Sequence, residues 1–281
     1  MAAFVKELQA EIVRSLEEVE NEGCLERGET ETRFLVDEWK RPEGGDGVSC
    51  VLQDGKVFQK AGVLVSVVYG TLPEAAVKQM RSERSKDLKG DGPFPFFAAG
   101  ISLVVHPRNP FAPTVHLNYR YFEIEDEETG EATLWWFGGG TDLTPAYLFE
   151  EDAEHFHATI KRACDANSPR YYPEFKEWCD RYFYLPHRKE CRGVGGIFYD
   201  DQAGDGTLAD RERLFALARD CGRAFVPSYV PIVRRRKDMP YTEENLRWQQ
   251  LRRGRYVEFN LVQDRGTKFG LTTVSKRIKK K

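Results

Sequence analysis

The sequence lacks any apolar run approaching the ~20 residues that cross a bilayer, its longest candidate being Ala61 to Tyr69. A membrane-spanning helix is therefore not expected. Six cysteines (Cys24, Cys50, Cys164, Cys179, Cys191 and Cys221) are scattered without a C-x-x-C pair, so neither a zinc ribbon nor a dithiol redox motif is visible. Reduced thiols in a cytosol account for them, and a cytoplasmic protein is the expectation. Excess charge is also missing: a net charge of −3 and a pI near 6.1 give little attraction to nucleic acid or to an anionic membrane. There is no G-x-G-x-x-G opening a helix after a strand and no G-x-x-x-x-G-K-[ST], which excludes the usual nucleotide loops, and no H-E-x-x-H. Residues 1–22 carry Glu7, Glu11, Glu17, Glu18, Glu20 and Glu22 and no apolar core segment, unlike a signal or transit peptide. Internal repeats and low-complexity linkers are absent, so residues 1–281 are expected to form one domain.

What is present is enough apolar material for a large core, 41% of residues. Phe4, Val5, Leu8, Ile12, Val13, Leu16 and Val19 recur at helical spacing, which predicts an amphipathic helix over about residues 1–22. Strand candidates follow at Thr32 to Trp39, Val48 to Gln53, Lys56 to Tyr69, Phe96 to His106, Thr114 to Glu125 and Thr133 to Phe137, with a hairpin signal at Asp54-Gly55. Short links require antiparallel pairing, and only the connection Thr71 to Lys89 is long enough to hold a crossover helix. Helices are expected at Leu148 to Ala166, Pro173 to Tyr184, Leu208 to Val226 and from Thr242 through Leu251. Strands return at Val194 to Tyr199, Arg255 to Val262 and Thr267 to Thr272, the last two around an Asp264-Arg265-Gly266 turn. The order predicts an α+β fold, a large and mainly antiparallel sheet flanked by helices.

Side chains alternate faces along a strand, so Thr114 to Glu125 turns His116, Asn118 and Arg120 one way and Val115, Leu117, Tyr119 and Tyr121 the other. His, Asn and Arg on one face offer a proton donor, an amide and a two-pronged carboxylate clamp; the alternative is a solvated sheet face. The small residues of Phe96 to His106 leave room above the sheet. If the two strands are neighbours, Ser102 and His106 line the same hollow. Gly138-Gly139-Gly140 lets backbone approach a bulky flat ligand or take positive φ, and delivers Asp142; a strained turn is the simpler reading. His155 and His157, two apart on a helix, point to different sides and favour hydrogen-bonding roles over a metal site. The basic clusters Arg234 to Lys237, Arg252 to Arg255 and Lys276 to Lys281 would suit phosphate, but charged helix ends and loops explain them more simply, and the first two could instead receive carboxylates.

Four long blocks, Ala99 to Arg120, Trp136 to Pro145, Arg192 to Asp201, and Gln249 to Asn260 through Gly270-Leu271, together resemble the oxygen-dependent coproporphyrinogen III oxidases, with likeness from about Phe34 to Leu271. The resemblance implies helices on both sides of a large antiparallel sheet and a homodimer, to which the apolar alternation of Tyr256 to Val262 also points. It implies oxidative decarboxylation of two propionates of coproporphyrinogen III to vinyl groups, giving protoporphyrinogen IX in haem biosynthesis, with dioxygen as co-substrate and no organic cofactor. By position, Ser102, Asn118, Tyr119 and Arg120 match substrate contacts, and His116 matches the proton donor. Asp142, Arg192, Asp264 and Arg265 match residues acting on the pyrrole or its carboxylates. A divalent metal, of the kind assigned to bacterial members, would fall on His106, His116, His155 and His187, and is not expected here. The family's substrate loop matches Ser275-Lys276-Arg277, in a tail over about residues 272–281 that departs from the family pattern. A histidine-dependent metal enzyme using His106, His116 and His187, or a tetrapyrrole carrier, are the competing readings.

Overall fold

A computed structural model describes residues 1–264, except 25, 27 and 84–91, together with 266 and 267. Helix α1 (Ala2–Glu20) buries Phe4, Val5, Leu8, Ile12, Leu16 and Val19 along the stripe read from the sequence. Its last residue anchors the chain. The Glu20 carboxylate, 2% exposed, accepts the backbone N–H groups of Lys56, Val57 and Phe58, the last at 2.8 Å. Glu20→Ala would leave those donors buried and unpaired. At roughly 1.5–3 kcal/mol for a hydrogen bond to a charged group, urea titration should show at least one such loss of stability, and Glu20→Gln an intermediate one. An unchanged midpoint would mean that the contact is dispensable.

Seven strands form one antiparallel sheet: β1 (Leu35–Lys40), β2 (Gly45–Gln53), β3 (Phe58–Thr71), β4 (Pro95–Pro107), β5 (Thr114–Glu125), β6 (Ala132–Thr144) and β9 (Gly195–Gln202). The first six run as a meander, and β9 pairs with β6 after an excursion through α3 (Glu150–Asp165), α4 (Tyr171–Tyr182) and the small hairpin of β7 (Tyr184–Leu185) and β8 (Glu190–Cys191). Helix α2 (Glu74–Glu83) occupies the long link, yet it is no crossover, since β3 and β4 pair antiparallel from Thr71↔Pro95 to Phe58↔Pro107.

Period-two burial divides the sheet into two faces. Val63, Val65, Ile101, Leu103, Val115, Leu117, Tyr119 and Ile197 face a layer built from α1, α3, α5 (Leu208–Arg223) and α6 (Phe225–Arg236), and all of these side chains are buried. Each such burial contributes about 1.5–3 kcal/mol, which fixes the register because a slip of one residue would expose the whole set. The opposite face stays more open. There α7 (Glu243–Val262) crosses one end, with Tyr256 against His106 at a ring separation of 5.5 Å. The architecture is α+β, as expected.

Two sequence expectations change. Leu208 to Val226 is not one helix but α5 and then α6, separated at Ala224. The reading missed α6 because Pro227 and Pro231 look like breakers; Pro227 lies in the first turn, where the absent N–H has no intrahelical partner to lose. Arg255 to Val262 is helical rather than a strand. Thr242 and Asn245 form a capping box, and Gln249, Tyr256 and Phe259 then lie buried at helical spacing through to Val262. The strand expected at Thr267 to Thr272 extends outside the described residues.

Candidate active site

Strand register assembles the site. Across the open face Val104, His116 and Asp142 form one cross-strand row, Ser102, Asn118 and Gly140 the next, and Gly100, Arg120 and Gly138 a third. The adjacency of β4 and β5 on which the sequence argument depended is therefore real. Because β9 pairs with β6, Gly196 extends the first row and Phe198 the second.

His116 Nδ1 donates to Asp142 Oδ1 at 2.8 Å, leaving Nε2 as the available ring nitrogen on a side chain 24% exposed. The other carboxylate oxygen, Oδ2, takes a hydrogen bond from Arg192 Nη2. Burial by itself would raise the Asp142 pKa, but the charge of Arg192 and the bond from His116 outweigh it and hold the carboxyl below its ordinary value. Arg192 is 4% exposed, with Nη1 on Asn260 Oδ1 at 3.3 Å. Its guanidinium carbon sits 3.8 Å from the Phe183 ring centre, 4.5 Å from Tyr256 and 4.9 Å from Phe259. Three aromatic faces and a carboxylate thus compensate one buried cation.

Arg120 is held from two sides, Nη1 donating to Asn118 Oδ1 at 2.7 Å and Nη2 lying 2.9 Å from Asp200 Oδ1. The glycine opposite makes this possible. A Cβ on Gly138 would stand 2.6 Å from Asp200 Oδ1 and 2.8 Å from Arg120 Nε, so any side chain there would displace the pair. Close approach, not positive φ, explains this member of the glycine run.

The open face ends beyond the last turn of α7, where Asp264 accepts from Tyr182 Oη at 2.8 Å and from the backbone of Thr267 at 2.7 Å. Burial again opposes ionisation, but these donors outweigh it and lower its pKa.

A family model described as Coproporphyrinogen III oxidase matches residues 1–280. The chain belongs to the coproporphyrinogen III oxidase family. It is 56% identical over 277 residues to a Drosophila melanogaster protein named oxygen-dependent coproporphyrinogen-III oxidase, covering 99% of this chain and 67% of that relative. Likeness to the mitochondrial human oxidase is 53% over 279 residues, 99% of this chain and 58% of the relative. The chloroplastic coproporphyrinogen-III oxidase 1 of Arabidopsis thaliana is 57% identical over 252 residues, 89% of this chain and 64% of the relative. The chain thus spans 58% to 67% of the length of these family members.

Among the residues that the family resemblance singled out, the structure brings Ser102, His116, Asn118, Arg120 and Asp142 onto one face. Tyr119 stands apart: fully buried on the helix side, its hydroxyl meets Thr141 Oγ1 at 2.8 Å. Arg192 is placed behind Asp142, enclosed and bonded to its Oδ2. Arg265, Ser275, Lys276 and Arg277 lie outside the described residues.

The four histidines considered for a metal are not assembled. His106 shares the face of His116, but His155 bonds the carbonyl of Pro227 at 2.9 Å within the helix layer, and His187 bonds Glu258 at 2.7 Å beside α7. Among the described residues no group of three or more His, Cys, Asp or Glu is arranged to hold an ion, and no helix is long and apolar enough to cross a membrane. Sequence reasoning missed Asp200 and the rings around Arg192. The alternation of β9, which puts Phe198 and Asp200 on the face of Gly196, was the available signal for the first.

Proposed function

We propose that this chain carries out the oxygen-dependent decarboxylation of two propionate groups of coproporphyrinogen III to vinyl groups, giving protoporphyrinogen IX. The supporting observation is the line Arg192, Asp142, His116 set beside the Asn118–Arg120 clamp on an open sheet face, a fixed proton-transfer group next to a carboxylate site. For each propionate the balance is one carboxylate side chain, one dioxygen and one proton giving a vinyl group, carbon dioxide and hydrogen peroxide. The substrate supplies both electrons, so the protein contributes position and electrostatics.

Asp142, with both oxygens engaged and 2% exposed, acts through His116 as a positioning residue. His116 moves the proton at Nε2. The more accessible Asp264 is the carboxylate for a pyrrole N–H, whose loss makes the ring electron-rich enough to attack dioxygen. Arg120 binds the reacting propionate through its planar guanidinium, with Ser102 beside it. Lysine would keep the charge and lose the fork, so Arg120→Lys should raise KM roughly 10- to 100-fold with a smaller change in kcat, the equivalent of one charge-assisted bond. Steady-state kinetics check this, and an unchanged KM would remove Arg120 from the carboxylate site.

The direct test of the activity is anaerobically prepared coproporphyrinogen III mixed with protein under air and chelator, followed by product analysis against a no-protein control. Two successive decarboxylations support the reading, binding without them indicates a carrier, and turnover only with added metal indicates a metal enzyme. A homodimer is part of the proposal, supported by Leu251, Val257, Leu261 and Val262 exposed along α7, and sedimentation at micromolar concentration tests it. A cytoplasmic location stands against relatives named mitochondrial or chloroplastic, and fractionation decides it.

A further inference from the structure

Beyond His116 the same sheet face continues into a cavity of about 340 Å³ over β2, β3 and β4, walled by Val51, Leu64 and Val104 and edged by Gln53, Lys60 and His106. Its electrostatics are one-sided. Lys60 is exposed and has no ion pair or side-chain hydrogen bond among the described residues, and no Asp or Glu lines the cavity. Behind it, half-buried Arg253 reaches, among the described residues, only neutral partners, Gln59 Oε1 and the carbonyl of Pro107, and its buried Nε has no hydrogen-bond partner there. Among the described residues, then, Lys60 at the edge of this mostly apolar hollow and Arg253 behind it have no anion beside them to balance their charge. Such a place attracts an anion carried on an apolar body. His106 between them does not add to the charge: burial, with the charges of Arg253 and Lys60, pushes its pKa down to about 4, so near neutrality it offers a hydrogen bond rather than a cation.

Register sets the scale. Asp142, His116, Val104 and Gly62 lie on successive strands, and Lys60 is one side-chain step along β3 from Gly62. Three strand spacings of ~4.8 Å and two residues of ~3.4 Å place Lys60 roughly 16 Å from Asp142 along the sheet. A tetrapyrrole lying flat, with its side chains extended, covers about this distance.

We propose that the cavity is a second carboxylate subsite, in which Lys60 and Gln53, with Arg253 behind, hold a propionate that is not being decarboxylated while its pyrrole edge rests on Val51, Leu64 and Val104. This rests on the porphyrinogen reading above and assigns specificity within it. A substrate with several carboxylates is held at two points of the face, which fixes which side chain lies at His116.

Lys60→Met and Lys60→Arg, both at an exposed position, test this with coproporphyrinogen III and with a porphyrinogen whose two non-reacting propionates are replaced by ethyl groups. For coproporphyrinogen, Lys60→Met should raise KM about tenfold, and Lys60→Arg should restore it. For the ethyl analogue, KM should already be high in the wild type and Lys60→Met should add nothing. An unchanged KM for coproporphyrinogen in Lys60→Met, or an equal rise for both compounds, would overturn the subsite. A wild-type protein that decarboxylates neither compound would instead overturn the function on which it rests.

Discussion

Asp142→Asn should lower kcat by roughly 10²- to 10⁴-fold, the range for misdirected general acid–base groups, while leaving KM within a few-fold of wild type. The carboxylate serves two donors at once, His116 Nδ1 on Oδ1 and Arg192 Nη2 on Oδ2. An amide has only one acceptor oxygen. If asparagine gives that oxygen to Arg192, its NH₂ faces His116 Nδ1 and forces the ring proton to Nε2, the opposite tautomer. If it gives the oxygen to His116, its NH₂ meets the guanidinium, donor against donor. Both outcomes disturb proton transfer without touching the Arg120 clamp, and the separation of kcat from KM is a readout that a merely structural role would not produce. Circular dichroism should confirm the fold. Wild-type kcat in Asp142→Asn would make this carboxylate structural and leave Asp264 as the principal acid–base candidate.

Arg192→Met should destabilise the protein by about 3–5 kcal/mol, the loss expected when one partner of a buried ion pair is removed. Both side chains are about 3% exposed, so Asp142 would keep its burial and lose its main counter-charge. Methionine preserves much of the volume between Phe183, Tyr256 and Phe259, which separates the electrostatic loss from a packing loss. Urea unfolding at pH 7 measures it. The Arg192→Met/Asp142→Asn double variant should recover part of the deficit, because no charge is then stranded. The sign with pH follows from the depressed Asp142 pKa: wild-type stabilisation is fully present above the unfolded value of about 4 and is lost as pH falls through the lower folded value. A single variant within about 1 kcal/mol of wild type would show that the aromatic faces, not the ion pair, hold this corner together.

The parts of this site legible in the sequence are those set by local periodicity. Alternation along Thr114 to Glu125 put His116, Asn118 and Arg120 on one face, because a strand's period of two is independent of its neighbours. The small residues of β4 indicated space above the sheet, and the sheet left it open. Contacts across long sequence separations were not legible. Arg192 meets Asp142 from 50 residues away, through a hairpin whose short strands carry little pattern. The last helix was misread because Tyr256, Phe259 and their neighbours satisfy a short strand template as readily as a helical one, and only docking against His106 and Arg192 selects the helix. Lys60 carries no signal of its own in the sequence. Its interest comes from the cavity beside it and from the lack of an anion there among the described residues.

The most direct test of the proposed chemistry is the stoichiometry of coproporphyrinogen III turnover in chelator, with dioxygen consumption, carbon dioxide release and hydrogen peroxide formation measured together. Two propionates converted by the balance above require two molecules of each gas and two of peroxide per substrate, with protoporphyrinogen as product. Dioxygen uptake without carbon dioxide, the pattern of simple porphyrinogen autoxidation, would contradict the account.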